Sequence, residues 1–263
     1  MRYKILIAFI LFSPGLFAQN KLAKQLFKKY IGVCNAYKQL PLHLEIEYKK
    51  TSNMALYNDD STTMQGVFYI QKKGAYIQFG QAEQIITDSL VLIVMGNIKQ
   101  MVLSKNNINI AGQVNKMISA PVSDSSIKIL IDKYTIQQKI LNKETAVLTI
   151  TNKQNVYSTQ LHLEINTLTY NTKNGNPVNI ETLKRSLVKK PEEGGLPFSA
   201  TVVSIPQKGD YLIKEELTVY RYKTLTHDEN IKLPVLLADR IEKDDAANYA
   251  PVKRYKNYAL IMN

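Results

Sequence analysis

The sequence predicts an α+β protein, a strongly curved antiparallel β-sheet with helices covering its concave side. Three observations lead there. Between Met64 and Ser104 short runs of alternating apolar and polar residues follow one another with turn residues between them, the period of half-buried strands joined as hairpins. Helical spacing is confined to a stretch near the start and one near the middle. Helices and strands do not alternate, which argues against a doubly wound βαβ sheet and for helices set on one face of an antiparallel one.

The first eighteen residues have the anatomy of a cleavable secretory signal: Arg2 and Lys4, an apolar run from Ile5 to Phe12, then Leu16-Phe17-Ala18 ahead of Gln19. The apolar run is shorter than the roughly 20 residues that span a bilayer, and Pro14 and Gly15 interrupt it. The mature chain is therefore expected outside the cytoplasm. No cysteine stands at the expected cleavage point, so no lipid attachment is expected there. With Cys34 as the single cysteine, the fold rests on its core and not on an internal disulfide.

Asn20 to Gln39 is read as a helix, capped by Asn20, with Leu22, Leu26, Tyr30 and Val33 on one side and stopped by Pro41. Leu42 to Tyr48 is a one-sided strand, and a polar loop from Thr51 to Thr62 leads into the meander. Four strands are expected there: MQGVFYIQ, AYIQFG, QIITDS running into LVLIVMG, and NIKQMVLS. Asn107 to Ile118 is ambiguous. Ser123 to Tyr134 reads as a helix capped by Ser123 or Asp124, with Ile127, Leu130 and Ile131 inward. Further strands are expected at 134–141, 145–151, 158–165, 167–171, 178–188, 200–204 and 216–224, about ten in all with two or three helices. Asn142-Lys143-Glu144 and Asn174-Gly175-Asn176-Pro177 serve as turns.

The chain has 263 residues with 34 basic against 22 acidic side chains, a net charge of +12. Such a charge bears on partners, not on fold. Its lysines are scattered and no nucleic-acid-binding module accompanies them, so no nucleic-acid partner is expected. Leu-His-Leu-Glu-Ile occurs at 42–46 and again at 161–165, but the flanks differ and the likeness is read as coincidence. His43 with Glu45 and His162 with Glu164 each share a strand face; the solvated reading of such pairs outweighs a metal site, and no metal or cofactor is expected.

Enzyme signatures are missing as a set. The three histidines are far apart, with no H-E-x-x-H, G-x-S-x-G, phosphate loop or dinucleotide fingerprint. The two S-x-x-K matches, Ser125 to Lys128 and Ser186 to Lys189, lack the companion motifs that give the pattern meaning. Cys34 follows Val33 on the apolar side of its helix and reads as a core residue.

From Gly66 the segment Gly-Val-Phe-Tyr-Ile-Gln-Lys-Lys-Gly-Ala-Tyr-Ile-Gln-Phe79, followed by Gln84-Ile-Ile-Thr-Asp-Ser89 and a hydrophobic strand, resembles the periplasmic lipoprotein carriers of the LolA type and their outer-membrane LolB-like relatives. Tyr134-Thr-Ile-Gln-Gln with Val147-Leu-Thr-Ile resembles a later strand pair of that family. The likeness covers roughly residues 20–190. It implies an open half-barrel over 19–190, following the signal peptide expected at 1–18; the extension at 191–263 is extra to the common carrier and is expected to continue the same sheet. It also implies an apolar cavity for lipid or lipoprotein acyl chains, expected to be lined by Phe68, Ile70, Ile77, Phe79, Ile86, Leu92, Val94 and Val102 on one shared face. The arginine with which the family latches its lid falls here at Lys72 or Lys73, and the glycine of its S-D-G turn is Ser89.

The expected function is that of a non-enzymatic periplasmic carrier or binding protein for an apolar or acylated ligand, working against an outer- or inner-membrane surface or membrane-protein partners. An envelope scaffold using the basic C-terminal extension is the alternative. An enzyme would need His227 gathered with acids such as Asp228, Asp239 or Glu242 in one cleft.

Overall fold

A computed structural model describes residues 20–54, 61–106, 123–153, 163–190, 202–205, 209–243 and 248–263. Residues 1–18, expected to be a secretory signal, the ambiguous stretch 107–118, His162 and residues 55–60 of the Thr51 to Thr62 loop lie outside the described residues.

The first helix, α1, covers residues 20–34. It ends earlier than the expected Gln39, because the chain tightens into a 3-10 turn at Ala36–Lys38 on the way to Pro41, whose predecessor cannot stay helical. Strands β1 (Leu42–Ser52), β2 (Thr62–Ile70), β3 (Ala75–Phe79), β4 (Ala82–Ile86), β5 (Leu90–Met95) and β6 (Gln100–Lys105) follow. The second helix, α2 (Asp124–Lys133), starts as expected, with the Ser123 hydroxyl accepting from the Ser126 amide at 3.2 Å. Then come β7 (Tyr134–Ile140), β8 (Thr145–Asn152), β9 (Leu163–Asn171), β10 (Pro177–Lys189), β11 (Val202–Ile205) and β12 (Gly209–Thr226). The chain closes with β13 (Ile241–Lys243), β14 (Tyr249–Pro251) and β15 (Ala259–Met262).

All but β13 and β14 join one open sheet of 13 strands in the order β15-β6-β5-β4-β3-β2-β1-β12-β10-β9-β8-β7, with β11 on β12. The sheet is mixed where an antiparallel one was expected, because β15 runs parallel to β6. Two further expectations are corrected. The run from Gln84 to Met95 is two strands, since Thr87 and Leu90 bond to each other across Asp88 and Ser89 and fold it back on itself. Residues 167–171 continue the strand that precedes them and do not form a separate one.

Contacts divide the chain into two compact units, one of Met1–Cys34, Lys49–Thr62 and Pro121–Val219, the other of Asn35–Tyr48, Thr63–Ala120 and Tyr220–Asn263. In the first, α1 and α2 pack on β8 and β9. Leu26, Phe27 and Val33 of α1 and Ile127 of α2 meet Ala146, Leu148, Ile150, Leu168 and Tyr170. Leu22, expected inward, is 56% exposed. The opposite face of these strands is mixed, with Thr149, Thr151, Thr167 and Thr169 beside Val147 and Ile165.

The second unit is different. Its meander β2 to β6 is apolar on both faces, and a continuous apolar run such as LVLIVM is what a strand covered twice looks like. One face, bearing Tyr76, Ile85, Leu92, Val94, Met101 and Leu103, is covered by the C-terminal segment through Leu233, Val235, Leu237, Ile241, Tyr249, Tyr255 and Tyr258. A buried ion pair holds that cover. Arg240 donates from Nε at 3.0 Å and from Nη2 at 2.8 Å to Glu83 Oε2, with its guanidinium 5.0 Å from the Tyr255 ring centre. Burial, then the charge of Glu83, pushes the Tyr76 phenol above its ordinary range, against the opposing pull of Arg240.

A half-open apolar face in the meander unit

The strand register lays out the other face of the meander in three rows. Ile70, Ala75, Ile86, Val91 and Ser104 form the first. Phe68, Ile77, Gln84, Ile93, Val102 and Ile261 form the second, and Gly66, Phe79, Ala82, Met95, Gln100 and Ala259 the third. None of these positions carries a charge. Ala75, Ile86 and Val91 are buried. Phe68, Ile70, Ile77, Phe79 and Val102 are half-buried, and Ile93 and Ile261 are 36% and 39% exposed.

Six of the eight expected cavity residues thus share this face: Phe68, Ile70, Ile77, Phe79, Ile86 and Val102. Leu92 and Val94 do not. They point the other way, into the core under the C-terminal cover, at 0% and 2% exposure. The reason is the Asp88-Ser89 turn: with Ile86 opposite Val91, the residues of β5 on the half-open face are Val91, Ile93 and Met95. An unbroken apolar run has no alternation to show its facing, and only the two-residue turn sets it. Read as a turn, Asp88-Ser89 would have placed Ile93 and Met95 correctly.

At its β1 side the face becomes aromatic. Leu42, Leu44 and Ile46 of β1 pack with Phe68, Ile70 and Phe79 and with Tyr220 and Tyr222 of β12. The Tyr48 ring centre lies 5.2 Å from that of Tyr220 and 6.1 Å from that of Phe79. Burial, with Tyr48 nearby, raises the Tyr220 phenol above its ordinary value. Gly66 is required by this crowding. A Cβ there would lie 2.8 Å from Phe68 Cε2, 2.9 Å from Ile46 Cγ1 and 3.0 Å from Phe79 Cδ2, closer than side chains tolerate. A glycine within a strand often marks such a close approach.

Lys72 and Lys73 are exposed at the tip between β2 and β3. Ser89 stands in a turn that needs no left-handed residue; among the described residues Lys99 is the non-glycine with positive φ.

The polar residues singled out from the sequence serve local roles. His227 sets its ring nitrogens against the carbonyl oxygens of Pro41 and Ala36, at 3.1 and 2.9 Å. Asp228 Oδ1 accepts from the Asn230 amide at 2.9 Å, and Asp239 Oδ2 from the Leu236 amide at 2.7 Å. Glu242 is exposed on β13. His43 stacks on Tyr69 with ring centres 4.1 Å apart and lies 3.0 Å from Glu45. Among the described residues no three metal-ligating side chains cluster.

No family model matches the chain, and neither does any curated protein.

Proposed function

We propose that this protein is an exported, non-enzymatic carrier or binding protein for an apolar or acylated ligand of the cell envelope, a lipid or lipoprotein, working in the periplasm. In this reading the sheet is a strongly curved half-barrel with its helices on the concave side, as in the carriers that the Gly66 to Ser89 segment resembles. The observation that carries it is the uncharged face of the meander. A soluble antiparallel sheet normally turns one polar face to water. Here neither face is polar: the C-terminal segment covers one, and on the other Ile93 and Ile261 are 36% and 39% exposed beside the half-buried Val102. Apolar side chains grouped at a surface in this way suit an apolar partner. The secretory signal read at 1–18 accounts for where an acylated ligand would be met.

The test is native mass spectrometry on protein purified from membranes, followed by uptake of a fluorescent fatty-acyl probe by the delipidated protein. A co-purifying lipid or lipopeptide and saturable uptake are expected. Protein that carries no lipid and takes up no probe overturns the reading.

A further inference from the structure

One residue breaks the apolar character of the half-open face at its centre. Gln84 has Ile77 and Ile93 directly across from it on the neighbouring strands, and Ala82 and Ile86 before and after it on its own strand face. It is half-buried, and its side-chain amide has no hydrogen-bond partner among the described residues. Open to water, this amide is satisfied. Covered by plain hydrocarbon, it would lose its water and gain nothing, which is costly for any polar group. A ligand that covers this face without penalty must bring its own hydrogen-bonding group to Gln84.

Resting on the apolar-ligand reading above, we propose that Gln84 is the recognition residue for the carbonyl of an acyl ester or amide. Its NH2 donates to that oxygen, and the acyl chain runs outward over Ile93, Val102 and Ile261. This half of the row is its more exposed half. Its length fits as well. From Gln84 to Ile261 the row crosses three strand spacings, about 14 Å, and one leaflet of membrane hydrocarbon, half the core, is about 15 Å deep. The site thus distinguishes an acylated ligand from an alkane of the same length, as a buried polar group discriminates against a partner that leaves it unpaired.

The experiment compares a long-chain fatty-acid methyl ester with an alkane of equal chain length, each displacing an environment-sensitive dye from the delipidated full chain. Wild-type protein should prefer the ester by about tenfold. Gln84→Leu should lose the preference while holding the alkane at least as tightly, and Gln84→Met, nearly the same length, should behave alike if the leucine variant does not fold. Ile93→Thr should weaken both probes equally. A wild-type protein without preference, or a Gln84→Leu or Gln84→Met protein that keeps it, overturns the assignment. A wild-type protein that binds neither probe overturns the carrier reading and this assignment with it.

Discussion

Two neighbouring residues of β5, replaced by the same side chain, test the facing of the meander. Leu92→Thr acts in the covered core, where Leu92 is 0% exposed among Tyr76, Ile85, Met101, Leu103 and Ile241. It removes two carbon groups at roughly 0.8 kcal/mol each and strands a hydroxyl without water, at about 1–3 kcal/mol. The total is about 3–4 kcal/mol. Ile93→Thr removes a similar apolar volume from a side chain that is 36% exposed, and its hydroxyl stays wet, so the cost is about 1 kcal/mol. Leu92→Thr gains a β-branch and Ile93→Thr keeps one, so strand propensity narrows the expected difference and cannot be its source. Urea unfolding reads the difference: with a slope of roughly 2 kcal/mol/M, the two midpoints should lie about 1 M apart or more. Equal midpoints, or a lower one for Ile93→Thr, would show that the faces of β5 are assigned the wrong way round and would remove the basis for the binding face.

Other perturbations reach other parts of the molecule. Glu83→Ala leaves the buried Arg240 guanidinium without its carboxylate; a loss of about 3–4 kcal/mol is expected, with hydrogen exchange rising first in 241–243 and 249–262. Gly66→Ala forces a Cβ against Phe68, Ile46 and Phe79 and should cost about 1–2 kcal/mol in denaturant unfolding, with weaker probe uptake. At the start of α2, hydrogen bonds from Lys24 and Lys28, then their charges, hold the Asp124 carboxyl below its ordinary 3.8. Because the folded value is the lower one, the stabilisation is fully present above pH 3.8 and is lost as pH falls through the folded value. Carboxyl-detected NMR titration should find that lowered midpoint, added salt should raise it towards 3.8, and Asp124→Asn should remove this contribution to acid sensitivity.

Local patterns made much of the meander legible. Alternation in MQGVFYIQ and AYIQFG shows which residues of β2 and β3 share a face, and Phe68, Ile70, Ile77 and Phe79 follow from it. Capping chemistry marks α2 to within a residue at each end. Where the sequence carries no contrast the facing is not legible: LVLIVM offers apolar side chains to both sides, and Leu92 and Val94 lie on the face opposite to the expected one. Strand ends also spread beyond their patterns, as in β12, which runs from Gly209 although its recognisable stretch begins near Glu216. An isolated strand glutamine such as Gln84 looks like any solvated residue until its neighbours across β3 and β5 are known.

By itself the sequence determined the type of structure and its local elements: consecutive strands, helices near the start and the middle, their caps and turns, and the apolar richness of the meander. These depend on contacts within a few residues, and periodicity records them directly. Only the tertiary structure decided which apolar face is covered, because that depends on a segment more than a hundred residues away, Leu233 to Leu260, folding back over Leu92 and Met101. It likewise decided that β15 pairs parallel with β6 and that Arg240 meets Glu83. Partners so distant in sequence leave no period in the chain, and the free energy that selects them comes from burial and charge pairing in the assembled core.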